Sequence, residues 1–202
     1  MHNIVQCLKA ITYRRFHNPV KKGRFREKNM GAIFRLWAVL TMLVTVGVWS
    51  GAAIAAAQEL QVFDKWVVYS KKSDAGRICF MSSVPTKLEG DYDRANRGET
   101  RVYVTHGPGK SERNVVSVQA GYRYAKQSEV EFLIDGKKTM LFTLDNFAWA
   151  QGADQDQKLI QAMKRGNSLV VVGTSSRKNK TTDTYSLSGF TKAKSFLDKT
   201  CP

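Results

Sequence analysis

The sequence predicts a mainly β protein with a single antiparallel β-sandwich-like domain and two short helices. Short runs rich in Val, Ile, Thr, Tyr and Phe recur along the chain, and turn residues separate them. The dipeptide Asp135-Gly136 lies between two of these runs and indicates a hairpin, because a type I′ turn needs φ > 0 at both central positions. Two stretches, near residues 155–165 and 191–200, have the spacing of an amphipathic helix.

The strands are expected where β-branched and aromatic residues are concentrated. Residues 86–100 show no such pattern, and we expect an exposed loop there. The basic stretch 175–180 is expected to join the last two strands as a hairpin. In chain order, the predicted strands are residues 65–69, 77–84, 101–105, 114–120, 130–134, 138–144, 168–174 and 182–187.

The first predicted helix has signals at both ends. Asp154 can cap its start, with Gln157 three residues further on as in a capping box. Gly166 suits the C′ position after its last turn. Its apolar face is expected to contain Leu159, Ile160 and Met163.

The second predicted helix would begin after Ser188 or Gly189. One side of it is apolar and is expected to face the core, which would bring the last cysteine towards the strand that carries Cys79. This stripe consists of Phe190, Ala193, Phe196, Leu197 and Cys201.

The first 57 residues are expected to lie outside the domain. They hold nine of the 32 basic residues and one of the 17 acidic residues, in a chain with a formal net charge of +15. Residues 33–57 are almost wholly apolar, and the last residues of this stretch are small. This pattern is typical of a secretory signal peptide. We interpret residues 30–57 as a signal peptide cleaved near Ala57-Gln58, and residues 58–202 as a periplasmic, outer-envelope-associated or secreted domain.

Two alternatives concern this leader. Residues 36–57 are also long enough to cross a hydrocarbon core of about 30 Å, so an uncleaved membrane anchor is the rival to the signal peptide. Residues 1–29 are interpreted as an over-extended gene start, and the alternative is a basic arm for nucleic acid or membrane. An exported chain has little use for a DNA-binding arm, so we expect no nucleic-acid partner.

Cys79 and Cys201 are the only cysteines of the predicted mature chain. Export would expose this pair to an oxidising compartment, where a disulfide is expected. Two buried free thiols are the alternative.

Motifs for catalysis are weak. Gly109-Lys110-Ser111 resembles the end of a phosphate-binding loop, but Val104 stands where that motif needs Gly, so a plain turn is expected. Asp91 and Asp93 could form an acid pair or bind a cation, but the loop lacks the further oxygen ligands of a calcium site. We therefore predict no enzymatic activity, no metal and no cofactor. A small periplasmic hydrolase that uses Asp91, Asp93 or His106 remains the alternative.

The basic residues of the predicted mature chain form small clusters. At the expected hairpin tip, Arg177, Lys178 and Lys180 are the best candidates for an anionic partner such as a lipid or a glycan. A solvated surface is the alternative.

The second half of the chain contains a distinctive block. Residues 181–190 read Thr-Thr-Asp-Thr-Tyr-Ser-Leu-Ser-Gly-Phe, and residues 159–166 and 169–177 precede it. With these segments the chain resembles the invasion-associated locus B family of exported alphaproteobacterial proteins. The similarity covers nearly all of residues 60–202 and extends upstream to residues 63–66, 114–121 and 132–136.

The resemblance implies a signal peptide, an envelope-associated domain and no known enzymatic activity. Cys79 and Cys201 fit the family's cysteine positions, and residues 67–70 lack the further cysteine that some members carry. The family's name comes from host-cell invasion. We expect a non-enzymatic protein that binds an unknown envelope or host component, and the alternative is an accessory protein that binds anionic lipid or polysaccharide.

The distinctive block also has a structural interpretation. Alternate residues are expected to face the core, Asp183 and Thr184 to form local hydrogen bonds at the hairpin, and Gly189 to let the strand turn into the last helix. The residues interpreted in this way are Thr182, Asp183, Thr184, Tyr185, Ser186, Leu187, Gly189 and Phe190.

Overall fold

A computed structural model describes residues 56–201 of the chain. Apart from residues 56 and 57, the predicted leader segments 1–29 and 30–57 lie outside the described residues.

The described chain forms one antiparallel sheet and two helices. Two short 3₁₀ helices, Arg94–Asn96 and Lys110–Glu112, lie in connections between strands. The long helices are α1 (Ala153–Arg165) and α2 (Phe190–Thr200). The strands are β1 (Gln58–Phe63), β2 (Trp66–Ser73), β3 (Gly76–Ser83), β4 (Lys87–Gly90), β5 (Arg101–His106), β6 (Val115–Gln119), β7 (Glu129–Ile134), β8 (Lys137–Leu144), β9 (Phe147–Trp149), β10 (Ser168–Thr174) and β11 (Lys180–Ser186).

The strand order is β1-β2-β3-β5-β6-β9-β8-β7-β10-β11-β4. The sheet curves enough to bring β2 close to β11, where the indole Nε1 of Trp66 donates a hydrogen bond to the carbonyl oxygen of Ser186 at 3.1 Å. The layers of the sandwich are therefore parts of one continuous sheet. The predicted mainly β, antiparallel, sandwich-like domain with two helices is confirmed.

A single apolar core lies inside the curved sheet. Strict alternation in β5, β10 and β11 buries every second side chain, as a period of two requires. Trp66 and Phe190 meet at the centre with their rings edge to face and their centroids 4.9 Å apart. Both side chains are fully buried, so this contact ties β2 to the start of α2.

The expected hairpin at Asp135-Gly136 is confirmed. Asp135 has φ 44° and Gly136 has φ 82°, as a type I′ turn requires. All the predicted strands are present, with ends that differ by a few residues.

Three strands were not predicted, namely β1, β4 and β9. The expectation of an exposed loop over residues 86–100 is wrong in part, because β4 lies within it. β4 has one large apolar residue, Leu88, and exists because its backbone pairs with the edge of β11, Leu88 opposite Asp183. That pairing leaves no periodic signal in the sequence of β4 itself.

The expected ends of the first helix are also wrong. Gly152 occupies the N-cap of α1 with φ 109°, a conformation that favours glycine, so Asp154 lies in the first turn and does not cap. Gly166 ends the helix with φ −87°, so it is not a left-handed C′ residue. A Cβ on Gly166 would lie 2.6 Å from a methyl group of Ile134, and close packing therefore explains this glycine.

The second helix agrees with the sequence. Gly189 has φ 87° and turns the chain from β11 into α2, whose apolar stripe buries Phe190, Ala193 and Leu197. The helix ends beside β3, where Cys201 forms a disulfide with Cys79. The two Cα atoms are 6.3 Å apart, and the bond closes a loop across 122 positions of sequence.

One buried carboxyl group holds α1 on the sheet. Asp156 is 6% exposed, and its Oδ1 accepts a hydrogen bond from the backbone N–H of Val116 in β6 at 2.7 Å. Burial raises the pKa of Asp156 from the ordinary 3.8 to about 7, and the hydrogen bond only partly opposes this shift.

We predict that Asp156 makes stability depend on pH. The folded protein keeps this proton over a range in which the unfolded chain has lost it, so the contribution of Asp156 to stability is greatest below about pH 4 and declines as the pH rises to about 7. Asp156→Asn keeps the acceptor but cannot ionise, so it should remove this decline. Urea unfolding of both proteins between pH 4.5 and 7.5 measures the difference, and parallel profiles would contradict the prediction.

Candidate functional site

A buried ion pair lies beneath the distinctive block. Arg97 forms a two-pronged contact with Asp183, in which Nη1 donates to Oδ1 at 2.8 Å and Nη2 donates to Oδ2 at 2.5 Å. The two side chains are only 4% and 3% exposed. The expectation that Asp183 bonds locally is therefore wrong, since its partner lies 86 positions away in the sequence.

Aromatic rings surround the arginine. The guanidinium carbon of Arg97 lies 5.1 Å from the ring centroids of both Tyr92 and Tyr122, which is cation–π distance. Its Nε donates to the carbonyl oxygen of Ala120 at 2.9 Å. The hydroxyl groups of Tyr122 and Thr181 are 2.7 Å apart and share a hydrogen bond. These contacts hold segment 92–97 against loop 120–122 and β11.

Arg97 and Asp183 each oppose the pKa shift that burial causes in the other. Burial alone would lower the pKa of Arg97, but hydrogen bonds and the charge of Asp183 raise it above its ordinary value. Burial raises the pKa of Asp183, and Arg97 opposes that shift. Each charge thus stabilises the other, which a desolvated pair requires.

The other residues of the block lie as the alternation predicts. Tyr185 and Leu187 face the core, whereas Thr182, Thr184 and Ser186 point to the outer face and are half-buried. The hydroxyl of Tyr185 has no hydrogen-bond partner among the described residues.

The candidate basic patch is at one end of the sheet. Arg177 and Lys178 lie on the connection between β10 and β11, Lys180 is the first residue of β11, and all three side chains are exposed. This connection is held by backbone hydrogen bonds from Ser175 N–H to Asn179 O at 2.9 Å and from Lys178 N–H to Ser175 O at 2.8 Å.

Two further cations join this patch. The loop after β6 runs alongside it, because Ser176 N–H donates to Arg123 O at 2.8 Å and Ala125 N–H donates to Thr174 O at 3.0 Å. Arg123 and Lys126 are exposed there. The sequence carried no signal for their position, which depends on contacts between distant segments. We call this set the basic tip, and it consists of Arg123, Lys126, Arg177, Lys178 and Lys180.

His106 is enclosed rather than presented to a ligand. It is 1% exposed at the end of β5; its Nδ1 accepts from Asn114 N–H at 3.1 Å, and its Nε2 lies 2.9 Å from Asp198 Oδ1. The accepting Nδ1 places the proton of a neutral ring on Nε2, which then donates to Asp198. Burial lowers the pKa of His106 despite this hydrogen bond, which favours the neutral form.

The acids of the hydrolase alternative lie elsewhere. Asp91 and Asp93 are exposed on the connection that leads to the beginning of β5, whereas His106 ends that strand. Asp93 caps the first 3₁₀ helix, with its Oδ1 accepting from Ala95 N–H at 3.0 Å. The structure does not bring these acids to His106.

Two surface cavities have volumes of about 730 Å³ and about 250 Å³. Neither is lined by Asp91, Asp93 or His106. Within residues 56–201 there is no group of three or more His, Cys, Asp or Glu side chains placed to hold a metal ion. In that same range, no helix has the length and apolar character that a membrane span needs.

We predict that Asp183→Asn destabilises the fold by about 3–5 kcal/mol, because it leaves the buried charge of Arg97 without a counter-charge. Chemical denaturation measures this loss. Glu99→Gln is the matched control, because it breaks the more exposed pair between Arg101 and Glu99 and should cost at most about 1 kcal/mol. The double variant Arg97→Met/Asp183→Leu should recover much of the stability. If Asp183→Asn and Glu99→Gln lowered the free energy of unfolding by the same small amount, the prediction that the buried pair contributes more than the exposed one would be contradicted.

Comparison with known protein families gives a match. The family model described as "Invasion associated locus B (IalB) protein" matches residues 66–198, which include β2 and most of α2. No curated protein and no solved structure shows significant similarity to the chain. The matched range contains the Arg97–Asp183 pair and the whole basic tip, and it covers well over half of the chain. The protein therefore belongs to the invasion-associated locus B family.

Proposed function

We propose that this protein is an exported, non-enzymatic component of the cell envelope that acts by binding an anionic surface. The basic tip carries the proposal, because five exposed cations from two segments converge at one end of the sheet. Phosphate groups of lipids and carboxylates of polysaccharides share the chemistry that would satisfy them.

The construction of the tip favours binding. Its two segments are joined by backbone hydrogen bonds and by the isolated bridge between Tyr124 and Ser175, so the backbone that carries the cations is ordered before a partner arrives. Arg123 has a distant acidic neighbour, with its Nη2 3.9 Å from Asp145, and the other four cations form no ion pair with another described residue. Their charge is available to a partner.

The use of titratable groups elsewhere supports a binding role over a catalytic one. His106 and Lys194, both buried, each hydrogen-bond to Asp198 beside the disulfide. Asp183 is committed to Arg97. A general acid or base must reach a substrate, whereas His106, Lys194 and Asp183 are buried against other side chains.

Export is supported by two independent features. The leader has the basic flank, apolar centre and small-residue end of a signal peptide. The disulfide between Cys79 and Cys201 is a bond that persists in oxidising compartments such as the periplasm. A periplasmic, outer-envelope-associated or secreted location follows as part of the proposal.

We predict that Arg177→Ala/Lys178→Ala/Lys180→Ala lowers affinity for vesicles of phosphatidylglycerol and phosphatidylcholine about tenfold to a hundredfold. Each Lys or Arg near an anionic membrane contributes about 1 kcal/mol, screened by salt. Co-sedimentation at low and high salt measures the change. Arg123→Ala/Lys126→Ala should weaken binding in the same direction.

The matched control removes three cations from another hairpin, as Lys71→Ala/Lys72→Ala/Arg77→Ala, and should retain most of the affinity. Soluble polygalacturonate, offered as a competitor, distinguishes a polysaccharide from a lipid headgroup as the source of negative charge. Equal losses in the tip and control variants, or no loss in either, would show that the basic tip is only a solvated turn.

A further inference from the structure

A groove lies at the opposite end of the sheet from the basic tip. It has a volume of about 730 Å³, within the roughly 300–1,000 Å³ range of ligand sites, and one face of α1 forms a wall. The turn end of the β7–β8 hairpin forms the other wall. Its apolar lining comes from Ile134, Leu159 and Ala162, of which the first two are nearly fully buried.

The rim of the groove is cationic. Lys137, Lys158 and Arg165 are exposed, and none forms an ion pair with another described residue. Of the two acids at the rim, Asp135 is already occupied, because its carboxylate accepts the backbone N–H groups of Asn167 and Ser168. The three cations exceed the carboxylates of Asp135 and Asp154 by one charge, and Asp135 is engaged by backbone N–H groups, so the charge of the groove complements an anionic partner.

The groove also offers unused hydrogen-bonding groups. The hydroxyl of Thr139 and the side-chain amide of Gln151 line it without a partner among the described residues. An acyl chain would cover these groups without bonding to them, at a cost in free energy. A peptide backbone carries a donor and an acceptor at nearly every residue and can pair with both.

The dimensions favour a short extended segment. Positions 154 and 165 of α1 mark the two ends of the wall, which at about 1.5 Å per residue is about 16 Å long. An extended peptide rises about 3.3 Å per residue, so about five residues would fill it.

We propose that this groove binds an extended acidic peptide segment of a partner protein. Carboxylates of the segment pair with Lys137, Lys158 and Arg165, while an apolar side chain contacts the lining at Ala162. The proposal goes beyond the anionic surface assigned to the basic tip, because the groove is separate from the tip and recognises a shape as well as a charge.

The test is fluorescence anisotropy of a fluorescein-labelled peptide, Glu-Val-Glu-Val-Glu, titrated with the purified oxidised protein at low salt. The neutral peptide Gln-Val-Gln-Val-Gln carries the same label. We expect the acidic peptide alone to bind. Lys158→Gln/Arg165→Gln should weaken its binding about three- to tenfold, the loss expected for two exposed ion pairs. Ala162→Met should weaken binding without a change of charge, because it fills the groove.

Lys72→Gln/Arg77→Gln is the matched control, since it removes the same charge from exposed positions outside both the groove and the basic tip and should leave peptide affinity unchanged. An equal loss in this control would overturn the proposal in favour of unspecific attraction. Absence of binding by the unmodified protein, equal binding of the neutral peptide, or displacement by dodecanoate at lower concentration than by unlabelled acidic peptide would also overturn it. Vesicle binding by the tip is measured separately, so the two proposals can fail independently.

Discussion

The buried ion pair between Arg97 and Asp183 is the interaction on which the rest of the domain depends. Its arginine belongs to a segment with little regular structure, and its aspartate lies on a strand near the edge of the sheet. Arg97 also holds the carbonyl oxygen of Ala120, and the adjacent Gly98 donates its N–H to Gly121. The loop fixed in this way continues directly into Arg123 and Lys126, so a buried structural contact positions part of the exposed basic tip.

A second anchor closes the other side of the core. The disulfide joins the end of α2 to β3, His106 contacts Asp198 on the same helix, and Arg113 donates to the carbonyl oxygen of Cys201 at 2.8 Å. Side chains that serve as catalysts in many enzymes are therefore used here to hold a helix on a curved sheet. Cations without an ion pair to a described residue lie at two ends of the sheet, at the basic tip and along the groove, and they support the binding role proposed above.

The sequence predicted those features whose cause is local. Runs of β-branched and aromatic residues predicted β5, β10 and β11, the positive φ angles at Asp135-Gly136 agreed with a hairpin, and the apolar stripe predicted α2. Features that depend on a distant partner were missed. β4 follows from the open edge of β11, the partner of Asp183 lies 86 positions away, and Arg123 reaches the basic tip through backbone contacts. The cap of α1 was misplaced because Gly152, not Asp154, has the conformation that begins the helix.

The most direct test of an exported, disulfide-closed domain is the intact mass, under non-reducing conditions, of the protein isolated from the envelope fraction of its native host. We predict the mass of residues 58–202 less two hydrogens, which would demonstrate export, cleavage and the bond between Cys79 and Cys201 in one measurement. A mass that retains residues 30–57 would identify a membrane-tethered protein and contradict cleavage. Free thiols at the mass of the mature chain would remove the second anchor.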